Sequence, residues 1–388
     1  MIIDAEVIES SERRLKQANF APNLAKQFAA LDNKLGDGPI EMTADQRARR
    51  YQHLLAETGT PEKARTALER IVGGNDLVSI NYLAKGLAAA RSVGRIQLRR
   101  PSGDVIGFGT GFLIGPGVLM TNHHVFEQAA DARSALVDFD YELDVNNQER
   151  APGHFAFDPE RLFHADEKLD FAVVAVNPES EDGRNLKEWG WLALSGEPGK
   201  TDEGEYLTII QHPSGERKQV CVRENKFVKY VGDMIWYLAD TLGGSSGSPV
   251  FNRFWQVVAL HHSGVPRKDK NGRWLTKDGK VWDRSMDETL IDWIANEGVR
   301  ISSILAHLTE KLGSHPMIST LLNTQPPSLE DVLGTKPRTM AAPGSANGRD
   351  VWVEQSGGST SLVVPLHIPM DVVRRRWRCR KPLPSPLS

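Results

Sequence analysis

Two cysteines in 388 residues, Cys221 and Cys379, are too few to staple a fold, which excludes a disulfide scaffold. Long apolar runs are missing as well. No stretch approaches the roughly 20 residues that a membrane-spanning helix needs. The opening residues, Met1 to Glu9, carry acids where a secretory signal would carry bases, and no apolar segment follows them. A cytoplasmic chain without a membrane segment is therefore expected, with secretion by another route left open. Nor is there an excess of charge. A net charge of −3 gives no global attraction to nucleic acid or anionic lipid, so any such contact has to be local. No grouping of His, Cys, Asp and Glu has zinc spacing, so nothing supports a metal mechanism. What remains is ordinary globular composition, 40% hydrophobic and 25% charged, in a chain long enough for two or three domains.

Against this background one stretch stands out, Gly243-Gly244-Ser245-Ser246-Gly247-Ser248-Pro249-Val250-Phe251. It reads as a tight loop leading into a buried strand. Glycines on both sides of a serine let the backbone adopt positive φ and turn its N–H groups toward one point, which suits a tetrahedral oxyanion beside an attacking hydroxyl. Alone, the run reads equally well as a flexible Gly/Ser turn. A histidine base and an orienting carboxylate upstream would decide between the two.

Both residue types occur upstream. Thr110 to Met120 is apolar strand interrupted by a Pro-Gly turn, and it runs into Thr121-Asn122-His123-His124-Val125. Further on, Leu169-Asp170-Phe171-Ala172-Val173-Val174-Ala175-Val176 sets one carboxylate at the mouth of an otherwise apolar strand. Asp166 competes with it, but lies in the polar run His164 to Lys168, which reads more simply as a solvated loop. Together the three motifs resemble the chymotrypsin-fold (trypsin-like) serine peptidases, most closely the bacterial branch of glutamyl endopeptidases and HtrA-like peptidases. The order His, Asp, Ser is that of the chymotrypsin branch.

The resemblance implies a mainly β fold, a chymotrypsin-like double β-barrel with the first barrel from about Ser92 to Val176 and the second starting near Trp189. It implies His124 as base, Asp170 as its orienter and Ser246 as nucleophile, with an oxyanion hole at the backbone N–H groups of Gly244 and Ser246. His123 is then a neighbour without a catalytic duty, and His212, ahead of a Pro-Ser-Gly turn, a turn residue. The implied partner is a protein or peptide substrate, with no cofactor, metal or membrane. For specificity the resemblance points two ways. Asp240 falls where trypsin-like relatives keep the carboxylate that favours Lys or Arg. His261 and Thr241 fall where the glutamyl endopeptidases meet an acidic side chain, and because these two match together a weak preference for Glu is expected. A hydrogen bond between His261 and Asp240 is the rival arrangement.

The flanks read differently. Residues 1–91 are expected to be helical: Ser10 to Leu31 and Thr43 to Glu57 have helix-forming composition with apolar positions near a 3.6 period. Thr60-Pro61 is a helix start, Gly73-Gly74 a stop, and a further helix covers Val78 to Ala90. Arg70-Ile71-Val72-Gly73-Gly74 looks like a zymogen activation site, but the position before the nucleophile is Ser245, with no charge to pair with a freed amine. A chain competent as synthesised is expected. The Trp293 to Leu305 stretch looks like the closing segment of the same peptidase branch, so the peptidase domain is expected over 92–312. Over 313–388 the composition shifts to a linker-like stretch and a low-structure tail ending in the basic run Arg374 to Lys381, which leaves only a weak RNA or lipid contact open. The sequence sets no oligomeric state. The alternatives to a working endopeptidase are a non-catalytic peptide-binding module on the same fold, or a protease effector held inactive by its N-terminal helices.

Overall fold

The strand Phe171–Ala175 is apolar at every position because both of its faces are buried. Ala172 and Val174 point into one barrel among Leu119, Val137 and Phe155, while Phe171, Val173 and Ala175 point outward into a second core. That second core holds Leu260 and Val299 from the other barrel and Ile304 and Leu308 from a helix. One strand thereby fixes the barrels against each other. In the computed structural model the described residues are 40, 42–73, 77–222, 225–238, 244–287, 290–334, 352–356 and 359–363.

The first barrel is an antiparallel sheet of β1 (Val93–Arg99), β2 (Val105–Gly115), β3 (Val118–Thr121), β4 (Leu136–Phe139), β5 (Gly153–Ala156), β6 (Phe163–Asp166) and β7 (Phe171–Ala175), in the order β5-β4-β1-β2-β3-β7-β6. A bridge between Phe157 and Val176 folds the end of β5 back onto the end of β7. The second contains β8 (Thr208–Gln211), β9 (Gln219–Cys221), β10 (Phe227–Val231), β11 (Met234–Tyr237), β12 (Pro249–Phe251), β13 (Val257–Pro266) and β14 (Trp293–Arg300), in the order β10-β11-β14-β13-β12-β8-β9. A bridge between Tyr206 and Lys226 returns the chain ahead of β8 to the start of β10. The double barrel expected from the motifs is present.

One expected boundary moves. Trp189 does not open the second barrel. It is buried in the first, 5.1 Å from the ring centroid of Phe155 and 5.8 Å from that of Phe139, because an indole fills space that the small strand residues leave open.

Among the described residues, three helices precede the barrels: α1 (Ala44–Thr58), α2 (Pro61–Val72) and α3 (Asn81–Arg91). Thr43 and Gln46 form a reciprocal capping box at the start of α1, and Thr60 caps α2 with Pro61 at its first position. Leu54, Ala64, Leu68 and Ile71 form the small core between α1 and α2. The hairpin docks on the second barrel through a charge. Arg50, fully buried, donates to the carbonyls of Gly199 and Lys200 at 2.8 and 2.6 Å and to Glu205 Oε2 at 2.6 Å. Burial pushes the Glu205 carboxyl up from its ordinary value, and the Arg50 guanidinium opposes that shift. Nearby, Gln46 donates to Asp202 at 2.8 Å, and His53 Nε2 lies 2.9 Å from Gln256 Oε1. Helix α3 is held by the Trp255 indole, which donates to the Tyr82 carbonyl at 2.8 Å.

A short helix α4 (Ala129–Ser134) follows the turn after β3, and α5 (Ile301–Leu312) follows β14. The linker expected from Gly313 onward does not begin there. Instead α6 (Pro316–Asn323) and α7 (Leu329–Leu333) continue the chain, because Pro316 starts a helix whose Ile318 and Leu321, on one face, join the inter-barrel core. The chain divides into one compact unit over Met1–Thr335 and another over Lys336–Ser388. In the latter, β15 (Trp352–Ser356) and β16 (Ser359–Val363) form an antiparallel hairpin. Among the described residues no helix is long and apolar enough to cross a membrane. The expected helix over Ser10 to Leu31 and the basic run Arg374 to Lys381 lie outside the described residues.

Candidate active site

His124 leaves β3 in a tight turn, where Val125 and Phe126 both donate to the Asn122 carbonyl, at 3.2 and 3.3 Å. The Asn122 side chain donates to the backbone carbonyl of Asp170 at 2.8 Å, which ties this turn to the mouth of β7. Asp170 has φ +44°, a left-handed conformation that aspartate tolerates better than most residues. Leu169, just before it, donates to Asp166 Oδ1 at 2.7 Å, so the competing carboxylate shapes the loop.

The Asp170 carboxylate grips His124 twice. Oδ1 accepts the backbone N–H of His124 at 2.9 Å, and Oδ2 lies 2.8 Å from its Nδ1. An ionised carboxylate only accepts, so the proton sits on Nδ1 and Nε2 is left as the nitrogen that can take another. Asp170 is 5% exposed. Burial pushes its carboxyl up, but His124 and His262 outweigh that effect and hold it well below the usual carboxylate range.

Ser246 comes from the second barrel, on the loop that enters β12, and is half-buried. This loop is fastened to the first barrel. The Thr110 amide donates to the Ser246 carbonyl at 2.9 Å, and the Thr110 hydroxyl donates to the Gly244 carbonyl at 2.8 Å. Gly244 and Gly247 have φ +88° and +86°. A Cβ at Gly247 would stand 2.1 Å from the Thr110 carbonyl oxygen and 2.3 Å from Thr121 Oγ1, so glycine is required there on both counts. Asp240 and Thr241, together with the arrangement of Asp240 against His261, lie outside the described residues.

His261 is buried, with Nδ1 2.6 Å from the Tyr237 hydroxyl. Burial, then His262 and His124, lower its pKa to about 3, so the ring is neutral. Burial pushes the Tyr237 hydroxyl well above its ordinary value, which keeps that proton in place. The neighbouring residue is a surprise. His262 places Nδ1 2.5 Å from Asp170 Oδ2, the same oxygen that faces His124. Its Nε2 lies 3.6 Å from Oε1 of the buried Glu297, whose Oε2 accepts the Trp236 indole N–H at 2.8 Å. Consecutive strand residues ordinarily face opposite ways. Here the register of β13 against β14 slips between His261 and Ser263, and this bulge turns both imidazoles into buried positions.

His123 is half-buried beside His124. His212 is buried at the turn, as its sequence context implied, with Nδ1 2.9 Å from the Glu216 carbonyl and a pKa lowered to about 3 by burial and then by Lys218. Among the described residues, His124, Asp170 and His262 are the one group of ligand-type side chains near enough to gather an ion, with atoms within 4.8 Å of one another. Both Nδ1 atoms are already turned to one carboxylate oxygen, so the arrangement is spent on its own hydrogen bonds.

Residues 109–260 match the trypsin-like peptidase domain. Over those residues the chain is similar to trypsin-like peptidase domains. The uncharacterized protein y4fB of Sinorhizobium fredii is 41% identical over 297 residues, which cover 72% of this chain and 44% of that one. A glutamyl endopeptidase of Staphylococcus aureus is 27% identical over 241 residues, 62% of this chain and 68% of its own. The chain thus spans less than half the length of the first relative. The active form of the Rv3671c protease of M. tuberculosis aligns with 63% of this chain and 87% of its own at 17% identity and a TM-score of 0.37.

Proposed function

We propose that the chain is a serine endopeptidase that hydrolyses peptide bonds through an acyl-enzyme. The observation that carries this reading is the bidentate hold of the buried Asp170 on His124, in a site whose serine loop is fastened to the same barrel at Thr110. Ser246 Oγ attacks the peptide carbonyl as its proton passes to His124 Nε2, and the electron pair of the carbonyl moves onto oxygen. The N–H groups of Gly244 and Ser246 receive that oxyanion, each such donor lowering the barrier by about 2.7–4 kcal/mol. His124 gives the proton to the departing amine, and water repeats the sequence in reverse to release the acid. Asp170 stays ionised throughout, which its lowered pKa supports.

For specificity the reading is acidic side chains before the cleaved bond. With the Tyr237 hydroxyl donating to His261 Nδ1, the His261 Nε2 carries a hydrogen that can be offered to a carboxylate. The similarity to a glutamyl endopeptidase agrees with this. Labelling with a fluorophosphonate, on wild type and on Ser246→Ala, tests the reading. Label found by mass spectrometry on Ser246 and absent from the variant is expected, followed by preferential cleavage after Glu in a peptide library. A wild-type chain that takes no label overturns it, and cleavage after Lys or Arg overturns the acidic preference alone.

A further inference from the structure

We propose that His262 is a positioning residue for the reaction, a second imidazole that fixes the Asp170 carboxylate at the same oxygen that faces His124. The inference rests on the acyl-transfer reading and deepens it. Asp170 Oδ2 faces two Nδ1 atoms, at 2.8 Å from His124 and 2.5 Å from His262, while its Oδ1 is taken by the His124 amide. The terminal torsion of an aspartate has broad, soft wells, so the two contacts from His124 hold the carboxylate less firmly than three would. The second imidazole pins it, and His262 cannot drift because its far nitrogen faces Glu297. Glu297 is in turn fixed by the Trp236 indole, and both residues are fully buried. The side chain of His262 is 2% exposed, so solvent does not compete for either nitrogen.

The charged and titratable groups facing this chain of contacts come from every element around it. They are His124 from the turn after β3, Asp170 from the mouth of β7, Glu297 from β14, Tyr237 from β11 and His261 from β13 itself. His261 is neutral and bonded to Tyr237, and so does not stand between His262 and Asp170. Linear continuity from His124 through Asp170 and His262 to Glu297 also gives the carboxylate a counterpart deeper in the second barrel. A residue of the second barrel thereby sets the geometry of the base carried by the first.

The test compares wild type, His262→Leu and His262→Asn in the full chain, with the amide of Asn standing where Nδ1 stands. The leucine variant is expected to lose on the order of 10²-fold in the rate of fluorophosphonate labelling at Ser246. The asparagine variant should recover most of that loss. Equal rates in the wild type and a folded leucine variant overturn the proposal, and so do equal losses in both variants, which would indicate packing alone. A wild-type chain that takes no label refutes the acyl-transfer reading itself, a different outcome. Should the leucine variant fail to fold, ¹H NMR of the wild type decides. The His262 Nδ1 proton, assigned by its loss in His262→Asn, should lie far downfield and shift with the same pH midpoint as that of His124. A His262 resonance that ignores the His124 titration overturns the proposal.

Discussion

The backbone carbonyl of Ser246 accepts the amide proton of Thr110 at 2.9 Å, so a loop of the second barrel is joined to a strand of the first. The Thr110 carbonyl in turn accepts the hydroxyl of Thr121, which lies just ahead of His124. Two short contacts therefore link the serine loop to the strand that leads into the base, and a Cβ at Gly247 would collide with both the Thr110 carbonyl oxygen and the Thr121 hydroxyl.

Gly247→Ala is expected to fold with reduced stability and to label at Ser246 about 10²-fold more slowly than wild type. The positive φ alone costs roughly 1–2 kcal/mol for an alanine, and the new methyl would also collide with the Thr110 carbonyl. Thermal melts and labelling rates measured side by side check both effects. A variant that labels at the wild-type rate would show that the loop does not need this docking.

The pH dependence of labelling should follow one proton. His124 must be neutral to act as base, so the rate falls as pH drops through its titration. Asp170, held well below the usual carboxylate range, stays charged across that window and contributes no second limb. A plot of log rate between about pH 8 and pH 4 should approach a slope of one. A slope near two would place a second essential proton in the site.

Stability should fall in mild acid because of His212 and His261. Both have folded pKa values lowered from 6.5 to about 3 by burial. Above pH 6.5 neither state is protonated and nothing is lost. Below it the unfolded chain takes up protons that the folded chain refuses, so stability declines as pH drops toward 3, by up to about 1.4 kcal/mol per pH unit for each histidine. Urea denaturation at a series of pH values measures the slope, and His212→Gln, which keeps a donor for the Glu216 carbonyl, should flatten it.

Arg50→Met is expected to cost about 3–5 kcal/mol, because it leaves the Glu205 carboxylate buried without its cation. The double variant Arg50→Met with Glu205→Leu should regain most of that loss. Labelling at Ser246 should be unchanged in the folded double variant, since neither side chain contacts His124, Asp170 or Ser246 through any hydrogen bond described above.

The sequence made much of this legible, for identifiable reasons. β7 announced itself because a strand buried on both faces has no polar position to hide, and Asp170 stood out as the one charge at its end. The helix starts at Thr43 and Thr60 were readable because caps are local chemistry. His262 was not. A strict two-residue alternation assigns only one of two adjacent histidines to a given face, and the bulge that frees both depends on pairing with β14, far along the chain. The doubled His261-His262 within an apolar strand was the available signal. Trp189 was misplaced for a similar reason, since only the assembled barrel reveals the space it fills. The helix at Pro316 was hidden because it is only eight residues long and runs straight into the Pro-rich stretch Gln325 to Ser328.

The anchor of the N-terminal hairpin bears on the order in which the protein is made. Arg50 leaves the ribosome 155 residues ahead of Glu205, so during synthesis the guanidinium has no carboxylate to meet. The helices α1 and α2 can form early from their own caps and small core, but their seat exists only once the second barrel is translated. Such long-range closure is slow compared with local helix formation. Docking of the hairpin therefore comes late, when a segment made early meets a carboxylate made 155 residues after it.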